Sequence, residues 1–191
     1  EQAGFVMVDA IYTQVMECAW LTPPPPNRVV IREATSAEAA LMGDLVDDTI
    51  RYSRFHADPK VGMDRARAIY REWGENTVKG LNTLTLIGEL DGEAAGYVSL
   101  KTNRLATTTF GKGHVRVELV GVRPRFRGQH VVQALTAECV RRASEFGWDE
   151  LAVGTQISNV TAIRAYQKCG FRPGDAVVSL RWRADDDALS R

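Results

Sequence analysis

The order of strand and helix patterns over residues 84–182 constrains the fold of this 191-residue chain more than any other feature. Strand patterns over residues 84–90 and 94–100 flank Asp91-Gly92, a dipeptide typical of a tight primed hairpin turn. Further along the chain come a strand over 115–122, a helix from about Gly128 to Gly147, a strand over 150–154, a helix ending at Gly170 and a strand over 177–182. This succession predicts an α/β fold, in which ligands bind beyond the ends of strands.

Composition excludes several classes of protein. The 24 basic and 24 acidic side chains cancel, so the chain lacks the bulk charge of a nucleic-acid or anionic-membrane binder. The three cysteines form no CxxC pair and no cysteine/histidine cluster, which predicts neither a disulfide framework nor a structural zinc site. No apolar run approaches the roughly 18–20 residues of a membrane span. We therefore expect a cytoplasmic protein that holds no metal.

Four consecutive prolines at residues 23–26 mark a boundary near the N-terminus. Proline cannot continue a helix or a strand ladder, and a run of prolines favours an extended spacer. Residue 1 is Glu rather than Met, and residues 5–16 are rich in β-branched and apolar side chains, as inside a strand. The predicted division is 1–22 as the remnant of an N-terminal region, 23–28 as a proline-rich linker, 29–183 as the main domain and 184–191 as a polar tail.

The segment between the strand over 115–122 and the following helix is the first candidate binding site. Arg125, Arg127 and Gly128 lie just before the helix N-terminus. Free N–H groups and the positive end of the helix dipole bind phosphate oxygens at such a place, and arginines add charge-assisted hydrogen bonds. A solvated turn has the same composition, so the pattern alone leaves both interpretations open.

Two motifs resemble signatures of the GNAT superfamily of N-acetyltransferases. The segment VRPRFRGQ at residues 122–129 resembles the acyl-CoA pyrophosphate loop of the family, V-x-P-x-x-R-G-x-G. The segment NVTAIRAYQKCGF at residues 159–171 resembles N-x-x-A-x-x-x-Y-x-x-x-G-F, and the expected helix and strand lie between the two. The resemblance covers about residues 29–183. It implies a mixed, mainly antiparallel, twisted sheet that is flanked by helices and splayed at the acyl-CoA site.

The resemblance also implies acetyl-CoA as co-substrate. The positions that it carries over as cofactor contacts are Leu119, Val120, Val122, Arg125, Arg127, Gly128, Gln129, His130, Val131, Val132, Asn159 and Tyr166. His130 and Val132 replace small residues of the family pattern, so their bulk could crowd the pyrophosphate. His130 could instead donate to a phosphate, or simply start a helix while partly exposed. Asn159 is expected to approach the arm of the cofactor or to cap its helix, and the two roles are compatible.

Acetyl transfer to an amine needs an acid for the departing thiolate and an acceptor for a proton. The acid of the family is a tyrosine of the second signature, which implies this role for Tyr166; a core tyrosine with its hydroxyl at the rim is the alternative. Backbone amides of the strand from Leu119 to Val122 are implied for the oxyanion. Glu118 is expected on the strand face of Val120 and Val122 and could accept a proton through a water, or it pairs with Arg116 at the surface.

Shorter motifs resemble the dTDP-fucosamine N-acetyltransferase group, which acetylates the 4-amino group of a dTDP-linked dideoxy sugar. They are SRFHAD at 53–58, YREW at 70–73, GYVSL at 96–100 and VGTQ at 153–156. This resemblance implies a sugar nucleotide as acceptor, with Arg54, Phe55 and His56 as the candidate binding residues beside Tyr52. Cationic donors suit a diphosphate and aromatic faces suit a base or sugar ring. A solvated loop is the alternative.

Two classes of function stay open. The first is an acetyl-CoA-dependent N-acetyltransferase acting on the amino group of a nucleotide-linked sugar, with a protein or peptide amine as the competing acceptor. The second is a GNAT-like module that binds an acyl-CoA or a protein without turnover. A small-molecule amine is the expected partner, nucleic acid and membrane are not, and a homodimer is left open.

Overall fold

The computed structural model describes residues 5–51, 53–58 and 60–182, so the predicted tail over 184–191 lies outside the described residues. The strands of this part are β1 (Phe5–Glu17), β2 (Val30–Glu33), β3 (Leu84–Leu90), β4 (Glu93–Thr102), β5 (His114–Val122), β6 (Glu150–Gln156) and β7 (Arg172–Trp182). The α-helices are α1 (Ala39–Thr49), α2 (Arg54–Ala57), α3 (Met63–Asn76), α4 (Arg104–Phe110), α5 (Val131–Phe146) and α6 (Val160–Cys169). Within these ranges no helix is both long and apolar enough to cross a lipid bilayer.

One sheet contains all seven of these strands, in the order β2-β3-β4-β5-β6-β1-β7. Every neighbouring pair is antiparallel except β5 and β6, which run parallel. The prediction of a mixed, mainly antiparallel sheet flanked by helices is therefore confirmed.

The predicted hairpin joins β3 to β4. Asp91 and Gly92 at its turn have φ angles of +53° and +79°. Positive φ at both central residues is the geometry of the primed turn that suits the twist of two antiparallel strands. The dipeptide therefore fixes which residues of β3 and β4 pair next to the turn.

The segment predicted as the remnant of an N-terminal region supplies an internal strand. Residues 11–17 of β1 pair with β6, and residues 5–15 pair with β7. Gln14 and Met16 on this strand are fully buried. Strand β1 therefore shares one sheet with the rest of the described chain, and where a domain boundary lies in the whole protein stays a prediction.

Two apolar cores lie on the two faces of the sheet. Helices α5 and α6 cover one face, where Val98 and Leu100 are buried, and α1 and α3 cover the other, where Tyr97 is buried. Successive side chains of a strand point to opposite faces, which explains why neighbouring residues of β4 belong to different cores. The two cores hold α5 and α1 against the same pair of strands, β4 and β5.

Candidate active site

The sheet opens between β5 and β6. Their parallel pairing joins only residues 114–117 to residues 150–153. Beyond these pairs β5 continues to Val122 along β4, whereas β6 continues to Gln156 along β1. Because each strand follows a different neighbour, a gap opens between them beyond the last pair. The predicted splay of the sheet is confirmed.

Strand β5 turns free backbone groups toward this gap. The N–H of Arg123 donates to the carbonyl of Ala95 at 2.9 Å. Hydrogen-bonded pairs alternate along an antiparallel ladder, so Gly121 also directs its N–H at β4, and Val120 and Val122 direct theirs into the gap. Within the described ranges no strand pairs with these two amides, so they can donate to a ligand.

Leu119 differs from the two valines. Its N–H donates to Ser99 Oγ at 3.1 Å, and its side chain packs with Tyr97 on the face covered by α1 and α3. Of the strand residues predicted to meet the cofactor, Val120 and Val122 face the gap and Leu119 does not. The reason is the alternation of the ladder, which the motif itself does not reveal.

An apolar cleft lies behind the gap, on the face of the sheet covered by α5 and α6. Its side chains leave only about 20 Å³ open to a molecule of the size of water, so the cleft is narrow and is identified by its lining. The cleft is lined by Val98, Val117, Val120, Val132, Leu135, Thr136, Cys139, Leu151, Val153, Tyr166 and Phe171. Such a lining, mostly aliphatic with a few polar groups, favours an apolar chain with a polar end.

Tyr166 reaches the cleft from α6. Its side chain is 8% exposed, and its ring meets Phe171 edge-on with the centroids 5.9 Å apart. Burial, and to a lesser extent the thiol of Cys169, raises the pKa of Tyr166 above its ordinary value. Tyr166 therefore keeps its proton at neutral pH, as a group that donates a proton in the cleft must.

A β-bulge interrupts β5 beside the cleft. Leu100 lies opposite Val117, but the next pair is Ser99 with Leu119, so Glu118 is an extra residue of the strand. The bulge begins where the pairing with β6 ends. It lets β5 stay with β4 while turning away from β6.

The bulge also changes the position of Glu118 relative to the cleft. Val117 and Val120 both line the cleft although they are three positions apart. The prediction that Glu118 shares a strand face with Val120 and Val122 assumed unbroken alternation, which the bulge removes. The Glu118 carboxylate lies 4.0 Å from the guanidinium of Arg116, so the structure contains the ion pair that the sequence left as the alternative.

The loop between β5 and α5 contains two left-handed backbone positions. Gly128 has a φ of +78° and His130 has a φ of +62°. A Cβ at Gly128 would meet no atom of the described residues within 4 Å, so the backbone conformation rather than lack of space favours glycine there. His130 adopts a glycine-like conformation with a side chain attached, directly before α5.

The first turn of α5 offers free amides to a ligand. The earliest bond of the helix runs from the N–H of Ala134 to the carbonyl of His130, at 3.0 Å. The N–H groups of residues 131–133 therefore have no acceptor within the helix. Together with the positive end of the helix dipole they can bind an anion.

The two arginines of the loop have different partners. Arg125 forms an ion pair with Glu93 and stacks over the ring of Phe126 at 4.7 Å. Arg127 donates from Nε to the carbonyl of Val122 at 3.4 Å and forms no ion pair with a residue that the structure describes. Arg127 is thus free to bind an anion, whereas Arg125 must first leave Glu93.

Three other predicted cofactor contacts lie around this loop. Val132 is half-buried and lines the cleft. Val131 is 2% exposed, and a Cβ at Gly96 would approach its Cγ1 to 3.0 Å, so only its backbone can touch a ligand. Gln129 is exposed and donates to the carbonyl of Arg125 at 3.2 Å, which stabilises the loop from outside.

Asn159 caps α6, one of the two roles expected of it. Its side-chain oxygen accepts from the N–H of Ala162 at 3.3 Å, and its amide nitrogen donates to Thr155 Oγ1 at 3.2 Å. Both ends of the side chain are therefore engaged by the protein. This contact orients α6, the helix that carries Tyr166, against β6.

Arg54, Phe55 and His56 belong to the short helix α2. Ser53 caps this helix, since its Oγ accepts the N–H groups of Phe55 and His56, each at 3.2 Å. The helix contacts β1 and α3, which places it on the face of the sheet opposite the cleft. The structure brings the three residues together but not beside the cleft. Tyr52 lies outside the described residues.

An aromatic cluster surrounds α2 and consists of Phe55, His56, Tyr70 and Trp73. The ring of Tyr70 lies 6.2 Å from that of Phe55, 5.6 Å from that of His56 and 5.5 Å from that of Trp73, between centroids. Burial, and after it the positive charge of Arg51, lowers the pKa of His56. His56 is therefore neutral near pH 7, and Arg54 is the cation of this helix.

Several cleft residues were not predicted as part of the site. Leu135, Thr136 and Cys139 of α5 line the cleft, and neither of the two motifs includes them. Their spacing shows that one helix face is buried, but it does not show that this face stands over an opening in a sheet. The polar Thr136, between the apolar Leu135 and Cys139, is the signal that the sequence offers.

Comparison with known proteins agrees with this geometry. Residues 47–171 match the acetyltransferase (GNAT) family. Residues of the chain are 27% identical over 128 positions to the spore coat polysaccharide biosynthesis protein SpsD of Bacillus subtilis (strain 168). The match covers 67% of this chain and 42% of SpsD, so the chain spans less than half the length of this curated relative.

Solved structures share the fold. The GCN5-related N-acetyltransferase from Kribbella flavida superposes with a TM-score of 0.61 at 17% identity, over 94% of this chain and 60% of that one. The AAC(6')-Iy structure in complex with the bisubstrate analog CoA-S-monomethyl-acetylneamine gives a TM-score of 0.59 at 21% identity, over 83% of this chain and 100% of that one. Since the matched residues 47–171 run through both strands of the gap, the anion-binding loop and Tyr166, the chain belongs to the acetyltransferase (GNAT) family.

Proposed function

We propose that the chain transfers an acetyl group from acetyl-CoA to a primary amine. One observation carries the proposal: free strand amides, free helix amides and a protonated tyrosine converge on a single opening of the sheet. A thioester donor needs hydrogen-bond donors for its carbonyl and for its phosphates, and an acid for its sulfur. Membership of the GNAT family supports the same donor.

The residues around the gap fit acetyl-CoA, which supplies the activated acyl carbon as a thioester. The amides of Val120 and Val122 would hold the pantetheine arm and the acyl carbonyl. The amides of residues 131–133 and the guanidinium of Arg127 would hold the pyrophosphate. His130 would stand at the edge of that anion site, where its side chain limits the space for the phosphates or donates to one of them.

Each residue then has one task in the transfer. As the amine nitrogen bonds to the acyl carbon, negative charge develops on the carbonyl oxygen, and the N–H of Val120 donates to it. When the carbon–sulfur bond breaks, Tyr166 gives its proton to the departing thiolate. The proton released by the amine passes through water to Glu118, which makes Glu118 the proposed base, or directly to solvent.

We infer that the acceptor is a nucleotide-linked amino sugar. The relative SpsD is named for polysaccharide biosynthesis, and its match covers two thirds of this chain. Arg54 would bind the diphosphate, and the aromatic cluster would offer a ring face to the base or the sugar. His56, being neutral, would contribute a hydrogen bond rather than a charge.

A panel of acceptors tests the proposal. Purified protein is given acetyl-CoA and either 4-amino sugar nucleotides, aminoglycosides or peptides with free amines, and release of free thiol is followed. We expect turnover with amino sugar nucleotides and much less with the other amines. Turnover with peptides alone would replace the acceptor class, and CoA binding without thiol release from any amine would favour the non-catalytic module.

A further inference from the structure

A carboxylate on β1 lies on the face of the sheet opposite the cleft. A Cβ at Gly154 would lie 3.0 Å from Ile11 Cγ2 and 3.5 Å from the Arg116 guanidinium, so these groups share a face. Val153 lines the cleft, and its neighbour Gly154 therefore faces away from it. Asp9 is two positions before Ile11 and lies on the same side as Ile11, toward α2 and α3.

Asp9 is held in a defined orientation by neutral groups. Its Oδ1 accepts the N–H of Ala10 at 2.8 Å, and its Oδ2 accepts from Gln156 Nε2 at 3.2 Å. Gln156 is the last residue of β6, so the carboxylate is fixed beside the free end of the strand that forms one wall of the gap. A side chain oriented in this way loses little conformational entropy on binding a ligand.

Asp9 also lies near the aromatic cluster. Burial raises the pKa of Tyr70 most, the Ser53 hydroxyl and Arg54 oppose this effect, and the negative charge of Asp9 adds to it. Helix α2, which carries Phe55 and His56 of the cluster, also contacts β1, so the cluster and the carboxylate lie on the same side of the sheet. An aromatic surface and a carboxylate on the same face of the sheet match the two parts of an amino sugar, its ring and its charged nitrogen.

Among the described residues, the cations near Asp9 have other partners. Glu118 is paired with Arg116, and Arg54 lies over the ring of Phe55 at 4.9 Å. No lysine, arginine or histidine of the described residues forms an ion pair with Asp9. A half-buried carboxylate that receives hydrogen bonds only from neutral groups favours a cationic ligand.

We propose that Asp9, positioned by Gln156, binds the protonated amino group of the acceptor. The proposal rests on the proposed function and adds the residue that distinguishes an amine from a hydroxyl at the same position of the sugar. An ammonium donates charge-assisted hydrogen bonds to the carboxylate, whereas a hydroxyl donates a weaker, neutral one. The bound ammonium gives up one proton to water before its nitrogen, then neutral, bonds to the acyl carbon; this proton is additional to the one released during the transfer. The acceptor would thus approach the gap from the side of α2 and α3, opposite the cleft.

Calorimetry with two nucleotides measures this discrimination. The probes are dTDP-4-amino-4,6-dideoxygalactose and dTDP-6-deoxygalactose, which has a hydroxyl in place of the amine, each titrated into the full chain in the presence of CoA. We expect the wild type to bind the amine at least about tenfold more tightly. Asp9→Asn keeps the shape of the side chain and should bind both nucleotides equally, with its CoA affinity and Tm unchanged.

Two further variants separate charge binding from a structural effect. Asp175→Asn on β7 removes another exposed carboxylate of the sheet and should keep the full preference for the amine. Gln156→Ala removes the side chain that holds Asp9 and should reduce the preference about threefold without weakening dTDP-6-deoxygalactose. An Asp9→Asn protein that still prefers the amine overturns the proposal.

Steady-state kinetics distinguish failure of this proposal from failure of the proposed function. With whichever amine the wild type acetylates, Asp9→Asn should raise the acceptor KM at least about tenfold and change the KM for acetyl-CoA little. An unchanged acceptor KM overturns only the role of Asp9 and leaves the proposed function standing. A wild-type protein that acetylates no amine overturns the proposed function and the role of Asp9 together.

Discussion

Substitutions at two buried tyrosines, Tyr166 and Tyr97, can distinguish a catalytic role from a structural one. Tyr166 lines the cleft, whereas Tyr97 lies on the opposite face with its hydroxyl 3.0 Å from Thr49 Oγ1. We expect Tyr166→Phe to lower kcat about 10²-fold with little change in CoA affinity, because the ring stays and only the acid is lost. Steady-state kinetics and calorimetry measure the two effects.

Tyr97→Phe is the matched control for that variant. It removes a hydroxyl that is hydrogen-bonded inside the other core, so it should lower the free energy of unfolding by about 1 kcal/mol and leave kcat unchanged. A Tyr166→Phe enzyme with wild-type kcat would remove the general-acid role from Tyr166.

Gly128 allows a second comparison at the scale of one residue. Gly128 and Gly62 both have a φ of +78°, and a Cβ at either would lie more than 4 Å from every atom in the part of the chain that the structure describes. Valine at either position strains the backbone and destabilises the fold, but only Gly128→Val should weaken CoA binding, by about tenfold or more, because only Gly128 lies in the anion-binding loop. Equal CoA affinities of the two variants would contradict the assignment of the loop.

A small ionic network ties β2, the start of α1 and β3 together. Arg32 donates to Glu38 at 2.7 Å and to Glu89 at 2.6 Å, and the N–H of Thr35 donates to Glu38 at 2.9 Å. Arg32 first, and then the Thr35 amide, lowers the pKa of Glu38 to about 2. The ionised form of Glu38 is therefore stabilised in the folded state, and this element of the fold responds to pH.

The sign of that response follows from the lowered pKa. Above about pH 4.5, the ordinary value for glutamate, the network contributes fully, and its contribution is lost as the pH falls toward 2. Glu38→Gln should lower the free energy of unfolding by about 1–2 kcal/mol at pH 7, since partial exposure weakens the interaction. Denaturation at several pH values should show the two proteins converging near pH 2, whereas Glu72→Gln on the exposed face of α3 should match the wild type throughout.

Elements whose signals are local could be predicted from the sequence. Asp91-Gly92 carries the backbone preference of its own turn, and Gly147 and Gly170 end their helices as expected. Helix α2 was missed because four residues have no periodicity and depend on the cap from Ser53. The bulge at Glu118 was missed because register depends on the partner strand.

The residues of the candidate site also fall into those that the sequence could predict and those that it could not. The motif identified the loop and Tyr166, whose positions follow from the order of residues along the chain. It could not separate Leu119 from Val120, because that difference depends on which side of β5 meets β4. Asp9 was not singled out for the site, since β1 reaches it only through pairing with residues more than a hundred positions away.

At the scale of the whole molecule, β1 is the part on which the sheet depends most. It is the neighbour of both β6 and β7. A chain that begins at Val29 would leave two strand edges unpaired and expose the apolar side of α6, so we expect it to be unfolded by circular dichroism. A peptide of residues 1–22 added in trans should restore the signal, and a stable fold without it would show that β1 is dispensable.

The short parallel junction between β5 and β6 has a consequence for the exchange of backbone hydrogens with solvent. Val120 and Val122 direct their N–H groups into the gap, while Gly121 between them is bonded to β4. In deuterated water the first two should exchange quickly and the third slowly, an alternation along one strand that local unfolding would not produce. A bound molecule that occupies the place of the absent strand would slow the two fast amides and leave Gly121 as it was. Isotope uptake at three consecutive residues would then report whether the gap is filled, independently of any reaction.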